Sequence, residues 1–88
     1  SGAHAFLFPR ICELLIESGC GDVTVFGGGI IPVDERSSLF ESGMRAIFGP
    51  GTKMQEMTDF VNEVAKKVGA GESVGVGAGS DWVWSSGA

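Results

Sequence analysis

Two glycine-rich turns, each placed after a short β-forming segment, constrain the fold of this chain more than any other feature. Residues 22–26 (DVTVF) lead into Gly27-Gly28-Gly29, and residues 45–48 (RAIF) lead into residues 49–52 (GPGT). A glycine inside a regular element costs roughly 0.5 to 1 kcal/mol relative to alanine, so three in succession predict a place that requires bare backbone. Each turn also precedes a segment with helical character, which predicts two strand-turn-helix units.

Three segments are predicted to be helices. In residues 5–18, apolar side chains recur at helical spacing, and Pro9 fits only in the first turn, so this helix should begin near Ala5 and end before Gly19. Residues 32–42 form the second, with Asp34 as the candidate N-cap. The third follows Thr52, whose spacing to Gln55 is typical of a capping box. The apolar positions are Leu7, Phe8, Ile11, Cys12, Leu14 and Leu15 in the first helix, and Met54, Met57, Phe60, Val61, Val64 and Val68 in the third.

The predicted order α, β, α, β, α indicates an α/β fold with two parallel strands. In such sheets ligands bind at the carboxyl ends of the strands, where both glycine turns should lie. Residues 69–88 change to a glycine- and serine-rich composition and are predicted to be a flexible tail, with residues 73–76 as the candidate for a further short strand.

Composition excludes several classes of function. The chain has 88 residues and a net charge of -5, with 6 basic residues and no basic cluster beyond Lys66-Lys67, which disfavours nucleic acid as a partner. It has no apolar run of membrane-spanning length and no leader-like segment, so we expect a cytoplasmic protein without a membrane partner.

The spacing of Cys12 and Cys20 fits neither a disulfide framework nor a metal site. One histidine, His4, and scattered carboxylates predict neither a metal cluster nor a catalytic constellation.

The two turns suit a ligand cradle, because glycines let backbone N–H groups approach a ligand and the start of the third helix adds a positive dipole end. Phosphate, a nucleotide or a nucleotide-like tail fits this chemistry. The competing interpretation is that the glycines only permit tight turns.

Four motifs carry more specific information: G-A-H-x-x-L-F-P at residues 2–9, D-V-T-V-F-G-G-G-I-I-P at 22–32, E-S-G-M at 41–44 and I-F-G-P-G-T at 47–52. Together they resemble the cobalamin-binding domain of methylmalonyl-CoA mutase and related acyl-CoA mutases, which are isomerases. The resemblance runs from about Ser1 to Val68. It implies a partial flavodoxin-like (Rossmann-like) unit that corresponds to the C-terminal half of that domain, with residues 69–88 outside it.

The resemblance implies a cofactor, cobalamin, which is adenosylcobalamin in the intact family. Its dimethylbenzimidazole nucleotide tail would lie against part of a pocket in this chain, and His4 matches a family histidine near the cofactor edge that is not the cobalt ligand. The implied cofactor-binding residues are Gly28, Gly29, Ile30, Phe48, Gly49, Gly51, Thr52 and His4.

The 88 residues lack the family's D-x-H-x-x-G motif, whose histidine binds cobalt, and its S-x-L segment. We therefore expect no metal ligand, no catalytic residue and an uncovered sheet edge. The implied partners are the N-terminal half of the domain and a substrate-binding barrel, with a homodimer as a further expectation. Two alternatives stay open: a phosphate-binding βα segment of a (β/α)8-type protein, and a truncated product with no ligand.

Overall fold

The chain folds as a small α/β unit around one parallel sheet. The computed structural model describes residues 3–76 and 83–85, with side chains of the first helix from Phe6 onward. These residues form helices α1 (Ala3–Glu17), α2 (Val33–Glu41) and α3 (Met54–Gly69) and strands β1 (Phe26–Gly28), β2 (Ala46–Phe48) and β3 (Val83–Ser85). The strands are parallel in the order β1-β2-β3. The predicted α/β class with parallel strands and three helices, a partial flavodoxin-like unit, is confirmed.

The two faces of the sheet carry different helices. Successive strand residues point to opposite faces, and the register places Gly27, Ile47 and Trp84 side by side on one of them. Helices α1 and α2 cover this face and complete the main core. Its buried residues are Cys12, Ile31, Leu39, Phe40, Met44, Ile47 and Val76, with Phe8, Leu15, Val25 and Trp84 packed against them. Helix α3 lies on the opposite face, where Phe60 contacts Phe26 and Phe48.

Strand β1 lies later in the chain than predicted. The sequence predicts a buried strand at residues 22–26, whereas β1 takes in Gly27 and Gly28 and pairs Gly28 with Phe48. The preceding residues make isolated contacts instead, because the Val23 carbonyl accepts a hydrogen bond from the Val76 N–H (3.0 Å) and the Thr24 hydroxyl donates to the Val74 carbonyl (2.9 Å). The prediction of this strand's position was wrong because it depended on β-branched residues and could not include a pairing with residues 74–76.

The helix starts also differ from prediction. Helix α1 begins at Ala3, so Pro9 lies in its interior rather than in its first turn. The N-cap of α2 is Pro32, with Asp34 inside the first turn, and the N-cap of α3 is Lys53. Neither cap makes a side-chain hydrogen bond. The predicted capping box at Thr52 is wrong because the Thr52 hydroxyl donates to the Gly49 carbonyl instead (2.6 Å).

Part of the segment predicted as a tail packs on the sheet. Strand β3 adds a third strand to the predicted two, and its position differs from the candidate strand at residues 73–76. Val74 and Val76 are nevertheless buried (4% and 7% exposed). Gly75 lies between them against the chain at Gly21 and Asp22, where an added Cβ would overlap the Gly21 carbonyl oxygen and the Asp22 backbone. Residues 77–82 and 86–88 of this segment lie outside the described residues.

Much apolar surface stays uncovered in the described part of the chain. Only one side of the predicted apolar face of α1 is buried, through Phe8, Cys12 and Leu15, while Leu7, Ile11 and Leu14 are 44 to 51% exposed. Strand β1 has β2 on one side and forms an edge of the sheet on the other. No helix within residues 3–76 combines the length and the apolar character needed to cross a membrane.

Candidate functional site

The carboxyl edge of the sheet brings the two glycine turns together, as the topology predicts. Gly28 lies opposite Phe48 in the register, and the Gly29 N–H donates to the Phe48 carbonyl (3.1 Å). A Cβ at Gly28 would lie 3.0 Å from that carbonyl oxygen. Gly29 has a φ of +124°, a backbone conformation that residues with a side chain rarely adopt. The close approach of β2 and the backbone conformation therefore account for both glycines within the chain itself.

Strand β3 closes the second turn, a contact that the sequence does not predict. The Gly49 N–H donates to the Ser85 carbonyl (2.7 Å), and the N–H of Thr52 donates to the Gly49 carbonyl (3.2 Å). The Ser85 hydroxyl donates to the Glu56 carboxylate in the first turn of α3. Gly51 has a φ of +85°, which a left-handed turn position requires.

These contacts argue against a phosphate cradle at this edge. A phosphate would need free N–H donors from the turns, yet the N–H groups of Gly29, Gly49 and Thr52 all donate to carbonyl oxygens. The Glu56 carboxylate, near Thr52 through Ser85, would also repel an anion. These three N–H groups are thus not available to a phosphate.

The predicted site residues differ widely in exposure. Gly28, Gly29 and Gly51 are exposed, Thr52 is half-buried and Gly49 is buried. Ile30 is 83% exposed, whereas Phe48 is only 4% exposed. Phe48 therefore forms part of the floor beneath the edge rather than an open wall. His4 lies in the first turn of α1, and its side chain falls outside the described part of the structure.

A cluster of three phenylalanines underlies the site and was not singled out from the sequence. Phe26 of β1, Phe48 of β2 and Phe60 of α3 pack edge to face, with ring centroids 5.2 to 6.2 Å apart. Such pairs stabilise by about 0.5 to 1.5 kcal/mol beyond their buried area. The sequence signals were present, because Phe60 belongs to the predicted stripe of α3 and Phe26 ends the predicted strand. The contact itself depends on the tertiary packing of α3, which brings Phe60 against Phe26 and Phe48.

A cavity of about 400 Å³ opens between α3 and the sheet. Its lining residues outside α3 are Arg45, Phe48, Val74 and Val83. Those of α3 are Glu56, Asp59, Phe60, Glu63, Val64 and Lys67. No residue of α3 is fully buried, and the helix meets the sheet chiefly through the half-buried ring of Phe60. The cavity shares only Phe48 with the predicted cofactor-binding residues.

The described residues hold no group of three His, Cys, Asp or Glu side chains positioned for a metal ion. Both cysteines are free thiols, as predicted. Burial raises the pKa of the Cys12 thiol above its ordinary value, so this cysteine is a neutral core side chain rather than a nucleophile.

Relatives of known name match most of the chain. Methylmalonyl-CoA mutase of Cereibacter sphaeroides is 33% identical over 67 residues, which cover 76% of this chain and 9% of that protein. The pivalyl-CoA mutase small subunit of Xanthobacter autotrophicus is 36% identical over 61 residues, or 69% of this chain and 41% of the subunit. The 2-hydroxyisobutanoyl-CoA mutase small subunit of Aquincola tertiaricarbonis is 31% identical over 70 residues, or 80% and 52%. The chain is a partial homologue of acyl-CoA mutases.

The match confirms the resemblance inferred from the motifs, at the level of a partial mutase domain. The acyl-CoA mutase homologue spans between 9% and 52% of the length of these relatives. No protein-family model and no solved structure matches the chain. Sequence similarity thus shows partial homology to acyl-CoA mutases, and the computed structure shows the α/β fold.

Proposed function

We propose that this acyl-CoA mutase homologue is a cobalamin-binding module that contributes part of the pocket for the nucleotide tail. The observation that carries the proposal is the exposed backbone of Gly28 and Gly29 at the carboxyl edge, with Ile30 beside it and Phe48 beneath. A planar apolar group can lie flat on such a surface, because no side chain projects from the two glycines.

The residues of this edge fit the tail better than the metal end of the cofactor. Ile30, 83% exposed, offers an apolar side chain that no other part of the described chain covers. The exposed glycine backbone and Ile30 suit a planar apolar group, so the proposed role of the chain is to hold and orient the tail. When bound, cobalamin supplies the radical chemistry of an isomerase, and the substrate belongs to a separate binding domain.

A partner should cover the bare apolar surface. Two of the relatives are small subunits, and this chain covers 41% and 52% of their length. On one side of the sheet Leu7, Ile11 and Leu14 are exposed, and on the other a depression of about 290 Å³ lies beside Phe26 and Val61. Both sides and the edge of β1 suit the remaining half of a mutase domain, which would in turn contact a substrate-binding barrel.

A second copy of the chain is the competing occupant of the same surface. Sizing with light scattering at micromolar concentration separates the two, because the complementary-half proposal expects a monomer that forms a one-to-one complex when that half is added. A stable dimer that does not exchange with the added half would contradict it.

Paired titrations test the cofactor proposal. The full chain is titrated with cobalamin and with cobinamide, which keeps the corrin ring and cobalt but lacks the nucleotide tail. Tail recognition predicts saturable binding of cobalamin and at least about tenfold weaker binding of cobinamide, since each 1.4 kcal/mol of lost contact is a factor of ten. Equal affinity for both compounds, or binding of neither, would overturn the proposal.

Two exposed apolar residues give a matched pair of variants. Ile30→Ser should weaken cobalamin binding about fivefold, because it removes apolar surface at the proposed contact. Val33→Ser, at a residue that is 72% exposed at the start of α2, should leave the affinity unchanged. Because both side chains are exposed, neither substitution should unfold the chain.

A further inference from the structure

Strand β3 covers one of the two glycine turns at the carboxyl edge. The first turn leaves Gly28 and Gly29 exposed, whereas in the second turn Gly49 is buried and Thr52 is half-buried. Ser85 of β3 contacts both residues of the second turn. Its carbonyl accepts a hydrogen bond from the Gly49 N–H (2.7 Å), and its hydroxyl accepts one from the Thr52 hydroxyl (3.5 Å). The second turn is therefore engaged with β3, while the first turn stays open.

The first turn alone encloses little of a ligand. Ligand sites usually bury about 70 to 90% of the ligand surface. The backbone of Gly28 and Gly29 and the side chain of Ile30 offer one surface for a planar group, which leaves its other face in solvent. The second turn is the adjacent wall, because the Gly29 N–H donates to the Phe48 carbonyl (3.1 Å) and Gly49 follows directly in the chain. A more enclosed pocket therefore requires the turn that β3 covers.

Strand β3 is short and partly exposed. It has three residues and forms an edge of the sheet, with Val83 40% exposed and Trp84 and Ser85 half-buried. Arg36 stacks on Trp84 from the α2 side, and the Ser85 hydroxyl donates to the Glu56 carboxylate on the α3 side. Short, partly exposed edge elements open locally at lower free energy than the whole fold. Single substitutions at these two contacts can therefore shift β3 between bound and released forms.

We propose that residues 83–85 are a displaceable strap that competes with the nucleotide tail of cobalamin for the second turn. With the strap bound, residues 49–52 are covered; with the strap released, they join the first turn in enclosing the tail. The resemblance to the mutase domain ends near Val68, so the strap lies outside the part of the chain that carries the cofactor motifs. The inference rests on the proposed function and adds a regulation of that same site. By linkage, release of the strap raises the affinity for cobalamin, and the bound tail in turn releases the strap.

Two variants of the full chain weaken the strap from opposite faces of the sheet. Arg36→Gln removes the stacking on Trp84 and should lower the apparent dissociation constant for cobalamin roughly two- to thirtyfold, because more of the chain then has the strap released. Ser85→Ala removes the bond to Glu56 and should lower it about twofold or more. Arg10→Gln removes the same charge as Arg36→Gln at an exposed position of α1, and should leave it unchanged. Unchanged or weaker binding in both strap variants would overturn the inference and leave the cofactor proposal intact.

Hydrogen exchange with and without cobalamin tests the reciprocal effect. The Val83 N–H donates to the Arg45 carbonyl (2.9 Å) within the strap pairing, whereas the Val76 N–H donates to the Val23 carbonyl away from it. Saturating cobalamin should speed exchange at Val83 at least about tenfold and leave Val76 unchanged, and cobinamide, which lacks the tail, should change neither. Unchanged or slower exchange at Val83 in the cobalamin complex would overturn the strap alone. No saturable cobalamin binding by either the original chain or Arg36→Gln would overturn the cofactor proposal on which the strap rests.

Discussion

The N–H of Val76 donates a hydrogen bond to the carbonyl of Val23 (3.0 Å), joining the segment after α3 to the chain that leads into β1. With the bond from the Thr24 hydroxyl to the Val74 carbonyl, this contact holds residues 74–76 against residues 21–24. The segment thereby belongs to the folded core, although its composition resembles that of a linker.

Gly75→Ala should destabilise the chain by about 2 kcal/mol or more, because the new Cβ would overlap the backbone at Gly21 and Asp22 and force these segments apart. Chemical denaturation followed by circular dichroism measures the change. Gly69→Ala is the matched control, since nothing lies within 4 Å of an added Cβ there and alanine favours the helix. Equal stability of the Gly75→Ala variant and the original chain would show that residues 74–76 are not packed as described.

Phe60→Ala should reduce the free energy of unfolding by about 2 to 3 kcal/mol, because the half-buried ring is the aromatic contact of α3 with both β1 and β2. Hydrogen exchange gives a sharper measurement than global stability. The amides of α3 should lose protection while those of β2 keep theirs, since the core on the α1 and α2 face does not include Phe60.

Met54→Ala is the control for the Phe60 variant, because Met54 lies on the same helix but is 73% exposed. It should change stability by less than about 0.5 kcal/mol. Comparable losses in the two variants would contradict the role of the aromatic cluster, because alanine is the better helix former and neither substitution lowers helix propensity.

The fold was predictable where local pattern and tertiary structure agree. The apolar stripe of α3, the alternation of strands and helices and the meeting of the two turns at one sheet edge all follow from residue order. The position of β1 was not predictable, because Val23 and Thr24 bond to residues 74–76, fifty or more positions away. Strand β3 has three residues, too few for periodicity to reveal. At the site, the glycine turns were identified, whereas the contacts of Ser85 and Phe60 depend on the packing of β3 and α3.

Arg36 holds β3 from the α2 side through its stacking on Trp84, with the guanidinium carbon 3.5 Å from the ring centroid. Arg36→Gln should lower the stability of β3 docking by about 0.5 to 2 kcal/mol, because a partly buried cation above an indole ring is lost. Trp84 fluorescence, measured in a Trp82→Phe background, should move to longer wavelength as the ring becomes more exposed. Arg10→Gln provides the control, since Arg10 is exposed on α1 and bonds to Glu13; an equal spectral shift in that variant would contradict the role of the stacking.

The buried thiol of Cys12 should make the chain less stable at high pH. Burial raises its pKa above the ordinary value of 9.0, so the folded chain holds this proton more tightly than the unfolded chain does. The protonated thiol therefore contributes to the free energy of unfolding, and this contribution is fully present below the pKa of the unfolded chain. It is lost as pH rises through the pKa of the folded chain, and between the two pKa values the free energy of unfolding falls by up to about 1.4 kcal/mol per pH unit. Urea unfolding at about pH 8 and about pH 10 measures this loss of stability.

Two cysteine variants test the assignment. The loss of stability between the two pH values should be smaller in Cys12→Ala and unchanged in Cys20→Ala, whose thiol is only half-buried. Equal losses in both variants would show that another group titrates in this range.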